Sequence, residues 1–118
     1  SGFARYRKPM EQIVNQISAA SAKLAGYGSA DLESYTRKLE TEIYSRVSAA
    51  GEFRFHYPID NSESAMLNRL RAISRRVERH WWKLQETRKT DPSLGVYLNR
   101  ISDYFYALQI QSAKGSEI

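Results

Sequence analysis

The sequence predicts an all-α protein, an up-and-down bundle of four helices. Apolar residues recur three and four apart along nearly the whole chain, and no alternating stretch is long enough for a strand. Glycine, proline or capping residues fall where each periodic stretch stops. At 118 residues the chain suffices for one core and is too short for two, so a single helical domain over residues 1–118 is expected.

The first helix is expected over about residues 9–25, with Ile13, Ile17, Ala20 and Leu24 on one stripe and Gly26 and Gly28 as stop signals. The second, about 29–50, starts in the capping segment Ser29-Ala30-Asp31 and carries Leu32, Tyr35, Leu39, Ile43 and Val47 before Gly51. Residues 52–60 read as an irregular segment, broken by Pro58 and too aromatic for an ordinary linker. Asp60 and Glu63 form a capping box for a third helix, about 61–86, on Leu67, Leu70, Ile73, Val77, Trp81 and Leu84. Asp91-Pro92 opens a fourth, about 91–113, on Leu94, Leu98, Ile101, Phe105 and Leu108.

Hydrophobic residues at 42% and charged residues at 26% exclude disorder, and no apolar run approaches the ~18 residues of a membrane span. With no cysteine there is no disulfide framework, thiolate zinc site or cysteine nucleophile. A soluble, cytoplasmic protein is the expectation. The start at Ser-Gly-Phe reads as a processed or trimmed end. The net charge of +5 points to an anionic partner, and Arg69, Arg71, Arg75, Arg76 and Arg79 concentrate it on the third helix.

Arg71, Arg75, Glu78, Arg79 and Trp82 fall on one stripe of that helix, apart from its apolar face. Two readings fit the spacing: a solvated face held by ion pairs, or arginine forks gripping a polyphosphate while Glu78 serves a magnesium ion. On the fourth helix Asn99 and Asp103 are i, i+4 neighbours beside Arg100. His56 and His80 read as surface or satisfied polar residues, and Trp81 and Trp82 as core or subunit-interface residues.

Arg71-Ala-Ile-Ser-Arg75-Arg76-Val-Glu78-Arg79, followed by Tyr97-Leu-Asn99-Arg100-Ile-Ser-Asp103, resembles the paired signature of PduO-type ATP:cob(I)alamin adenosyltransferases, R-x-x-x-R-R-x-E-R and [FY]-L-N-R-L-S-D. Phe55-His-Tyr-Pro58 stands where that family has F-x-L-P, sixteen residues before Arg71. The resemblance implies a ferritin-like helical bundle that moves the 5′-deoxyadenosyl group of ATP to the cobalt of a reduced cobalamin, with Mg2+, in a homotrimer with sites between subunits. It implies that Arg75 and Arg79 are the catalytic pair, neutralising triphosphate charge, with Asn99 on the nucleotide and Glu78 on both nucleotide and magnesium. Phe55 would face the corrinoid, and Arg71, Arg100 and Asp103 would organise the site and the subunit contact.

The family's glycine-containing T-K-T-G-D-x-G phosphate loop and first helix have no counterpart here, and Ile59-Asp60 replaces its Gly-Gly. A missing N-terminal segment or a partner chain would supply the loop, or the chain is a catalytically impaired or non-catalytic homologue that binds ligands or assists assembly. A basic helical nucleic-acid module is the remaining alternative. The carboxylates of Glu78 and Asp103, set among the arginines, make nucleic acid an improbable partner.

Overall fold

The computed structural model describes residues 2–24, 26, 28–50, 62–87 and 92–113. A short 3-10 helix, Gly2–Tyr6, leads into α1 (Arg7–Leu24), and α2 (Leu32–Ala50), α3 (Ser62–Gln85) and α4 (Ser93–Ala113) follow. Helix α1 thus starts before Pro9, which fits within the first turn, where its missing N–H breaks no intrahelical bond. Past the end of α1, Gly26 takes φ +86° and donates its N–H to the Lys23 carbonyl at 3.0 Å, a left-handed cap that a side chain would disfavour. Helix α2 starts at Leu32 because Asp31 is the cap: its Oδ1 accepts the Ser34 N–H at 3.2 Å. Asp60 and Asp91, the other two expected caps, lie outside the described residues.

Cross-contacts set the directions. Glu78 meets Asn99 and Arg71 meets Tyr106, so α3 and α4 run antiparallel. Tyr35 packs on Tyr97 with ring centroids 6.0 Å apart and Arg46 reaches Gln111 at 2.9 Å, so α2 and α4 run parallel. Helix α1 joins α2 through Gln12 Nε2 to Glu42 Oε2 at 2.6 Å, and α4 through the Tyr97 hydroxyl to Gln16 Oε1 at 2.8 Å. Arg5 and the Tyr6 hydroxyl both hold the Glu63 carboxylate, tying the 3-10 helix to the start of α3. Close helix packing runs α3 to α4 and α4 to α2, which makes α4 the central helix.

That position follows from composition. Tyr97, Phe105, Ala107 and Ile110 are all buried and lie on different sides of α4, so it is apolar nearly all round and needs cover from more than one neighbour. Leu39 and Leu67 bring α2 and α3 onto it, and Ile13 and Ala20 bring α1. The expected stripes on α1 and α3 are only partly buried. Ile17 and Leu24 on α1, and Ile73, Val77 and Leu84 on α3, are 43–55% exposed. The apolar arc of α3 is wider than the face α4 covers, so its outer edge faces α1 across an open groove of about 370 Å3 floored by Leu94, Tyr97 and Leu98. Trp81 is half-buried against the core, and Trp82 is 40% exposed. No helix among the described residues is long and apolar enough to cross a membrane.

Two of the buried tyrosines set an alkaline limit. Burial pushes the Tyr97 hydroxyl well above its ordinary range, with a smaller push from Tyr35. Burial likewise raises Tyr104, although Arg46 partly offsets it. The folded state therefore holds these protons more tightly than the unfolded chain, whose tyrosines titrate near about 10. The stabilisation is complete below that pH and is lost as pH rises above it. Tyr97→Phe should flatten this alkaline decline, and at neutral pH it should cost about 1–3 kcal/mol because Gln16 Oε1 loses its buried donor. Urea unfolding at several pH values up to about pH 11 reads both effects.

Candidate functional site

The face where α3 meets α4 gathers most of the residues singled out by spacing. Glu78 is half-buried, and its carboxylate accepts the Trp82 Nε1–H at 3.1 Å and the Asn99 Nδ2–H at 3.2 and 3.3 Å. The Asn99 carbonyl oxygen in turn accepts Arg100 Nη1–H at 2.7 Å. Arg100 Nη1 also reaches Asp103 Oδ2 at 3.1 Å, and its Nε lies 3.5 Å from Glu40 Oε1 on α2. A polar chain thus runs from Trp82 through Glu78, Asn99 and Arg100 to α2. Its order is fixed by chemistry, because the Asn99 amide uses its N–H on the carboxylate and its oxygen on the guanidinium.

Local structure holds this chain in place. Asn99, Arg100 and Asp103 share a turn of α4, and the Ser102 hydroxyl closes it by donating to the Asn99 backbone carbonyl at 2.8 Å. Gly95, one turn earlier, is where the Trp82 ring meets the α4 backbone. A β-carbon there would lie 2.3 Å from Trp82 Cζ2. Arg71 is turned toward α4 as well, its guanidinium 5.0 Å from the Tyr106 ring centroid, a cation–π arrangement.

Arg75 and Arg79 are placed differently. Both are exposed, and neither has a hydrogen bond or ion pair among the described residues. The ion-paired face that the spacing of α3 allowed is therefore not formed around Glu78. Its carboxylate contacts two neutral donors and, among the described residues, no arginine. The result is two open guanidinium forks, three residues before and one residue after a glutamate whose carboxylate orientation is already set.

No group of three or more His, Asp or Glu side chains that could hold a metal exists among the described residues. Glu78 alone suits a magnesium ion shared with phosphate oxygens, since that ion keeps most of its shell in water and phosphate. Phe55 and His56 lie outside the described residues. His80 is exposed beside the α1–α3 groove and, among the described residues, belongs to no polar chain.

A second concavity of about 540 Å3 lies near the start of α1, lined by Arg5, Arg7, Lys8 and Arg46. Its charge is largely cancelled. Glu63 binds Arg5, Glu11 binds Arg7 at 3.0 Å, and Glu42 sits in the wall. Arg46 lies against the Tyr104 ring at 5.5 Å with its Nη1 on Gln111, in an internal role.

Spacing arguments missed Gly95, Glu40 and Tyr106. A glycine inside a helical stretch, here in the first turn of α4, often has a packing reason, so Gly95 was recoverable. Nothing in the sequence marks Glu40 or Tyr106, because their roles depend on how α2 and α3 rotate against α4.

No curated protein and no solved structure matches this chain. The family model for cobalamin adenosyltransferase matches residues 2–111, which takes in both the arginine helix and the Asn99-Arg100-Asp103 helix. With that match across nearly its whole length, the chain belongs to the cobalamin adenosyltransferase family.

Proposed function

We propose that the chain transfers the 5′-deoxyadenosyl group of MgATP to the cobalt of a reduced corrinoid, with triphosphate as leaving group. The observation that carries this reading is the pair of open guanidinium groups, Arg75 and Arg79, beside a Glu78 carboxylate held by Trp82 and Asn99.

The reaction asks little acid–base chemistry of the protein. The reduced cobalt supplies the electron pair that forms the Co–C5′ bond, the C5′–O bond breaks, and its electrons leave on the triphosphate. Catalysis then rests on alignment and on stabilising leaving-group charge. Arg75 and Arg79 take the developing triphosphate charge, their planar forks matching phosphate oxygens. Glu78 would hold a magnesium ion, which would supply further positive charge to the leaving triphosphate, and Asn99 would hold the nucleotide. Arg100 and Asp103 fix Asn99, and Arg71 fixes the α3–α4 contact through Tyr106. Phe55 is assigned to the corrinoid side.

A homotrimer with sites between subunits is part of the same proposal. It is supported by the exposed apolar edge formed by Ile17, Leu24, Val77 and Leu84, which a monomer would leave in water. Sedimentation at several protein concentrations tests it.

The deciding experiment is an anaerobic assay with reduced cobalamin and MgATP, followed by the absorbance change as the cobalt–carbon bond forms. Turnover that requires Arg75 supports transfer. Corrinoid and nucleotide binding without turnover would assign the chain to a binding or assembly role. Glu78→Gln is expected to weaken MgATP binding about tenfold, with no change in magnesium-free ATP binding and with the bundle still folded. Calorimetry with and without magnesium measures that difference.

A further inference from the structure

We propose that Trp82 is a positioning residue for the nucleotide site: seated on Gly95, its indole N–H holds Glu78 away from Arg75, which leaves the arginine open to phosphate. The inference rests on the assignment of Glu78 and Arg75 to that site.

Arg75 stands three residues before Glu78, a spacing at which arginine and glutamate ordinarily pair on a helix surface. Such a pair would consume both groups, masking the fork that should meet phosphate and the oxygens that should meet magnesium. The pair is absent. Trp82, four residues after Glu78, draws the carboxylate the opposite way along the helix through Nε1 to Oε2 at 3.1 Å. Asn99 helps from α4, but its contacts of 3.2 and 3.3 Å lie at the long end of the N–H···O range. The indole contact is the shorter of the two and comes from the same helix.

The ring itself is held in place by a matched vacancy. A β-carbon on Gly95 would fall 2.3 Å from Cζ2, 2.5 Å from Cη2 and 2.7 Å from Cε2 of Trp82. Real carbon contacts do not approach so closely, so the indole occupies this position only because residue 95 has no side chain. Gly95 is the third residue of α4, and glycine is a weaker helix former than alanine. Here that weakness has a structural return, since Gly95 admits the ring and the ring orients the carboxylate. The two positions therefore make one prediction from opposite sides. Trp82→Phe keeps an aromatic ring and removes the N–H, while Gly95→Ala keeps the N–H and displaces the ring.

Each variant is expected to weaken MgATP binding roughly fivefold to tenfold, the size of one ordinary hydrogen bond. The double variant should be no weaker than either single one, because both act on the same contact. In a Glu78→Gln background, Trp82→Phe should add nothing. A readout without ligand checks the contact directly: the Trp82 indole N–H resonance, identified by its loss in Trp82→Phe, should shift in both Glu78→Gln and Gly95→Ala.

Unchanged MgATP affinity in Trp82→Phe, with Glu78→Gln still weakened, overturns the positioning role and leaves the nucleotide reading standing. An equal effect of Trp82→Phe in the Glu78→Gln background also overturns it, since the indole would then act by another route. If neither Glu78→Gln nor Arg75→Ala alters MgATP binding, the nucleotide reading falls and takes this inference with it.

Discussion

Arg75→Ala and Arg79→Ala are each expected to lower the rate of adenosyl transfer about a hundredfold, with melting temperatures unchanged. The magnitude follows from the role. Removing one preorganised donor from developing negative charge typically costs about 3 kcal/mol of transition-state stabilisation, or roughly two orders of magnitude in rate. Stability should not move, because both side chains are exposed and neither has a partner among the described residues. Arg75→Lys would separate charge from geometry. Lysine restores the charge without the planar fork, so a recovery of less than about tenfold is expected if bidentate contact matters. The double alanine variant should lose less than the product of the single losses, as residues acting on one leaving group are not additive. Rates from the anaerobic cobalamin assay, set beside thermal melts of the same preparations, measure all of this. A parallel fall in melting temperature would move the two arginines from the site to the scaffold.

The architecture was legible because each helix carries its own period and stop signals. The fourth helix was the clearest: Leu94, Ile101, Phe105 and Leu108 are all buried as their spacing requires. On α3 the same reasoning overreached, since a 3.6-residue period identifies an apolar face without saying how much of it a neighbour covers. Leu67 is buried, whereas Ile73, Val77 and Leu84 stay about half exposed, the last two along the groove facing α1.

The candidate site was legible in its members and not in its pairing. Helical spacing correctly placed Glu78 near Trp82, and Arg100 near Asp103, because i, i+3 and i, i+4 neighbours are a property of one helix. Which of Glu78's neighbours it binds is decided by α4, which brings Asn99 to the carboxylate and Gly95 beneath the indole. The link from Arg100 to Glu40 crosses to a third helix and depends on the α2–α4 register, which no local pattern encodes.

The largest effect on stability is expected at Leu108. Its side chain is fully buried on the helix that packs against both α2 and α3, so Leu108→Ala should leave a cavity that the surrounding helices cannot close without breaking one of those contacts. A cost of about 3–4 kcal/mol is expected, a large share of the margin of a small domain. Urea unfolding should show a lower midpoint with an unchanged slope, because the surface exposed on unfolding stays the same. Leu84→Ala provides the control. It deletes the same atoms from a residue 43% exposed in the α1–α3 groove, so it should cost under about 1 kcal/mol in a monomer. The comparison also tests what the groove does in solution. If Leu84→Ala costs nearly as much as Leu108→Ala, and its cost grows with protein concentration, the groove is covered by another subunit and the exposed edge of α3 belongs to an assembly interface.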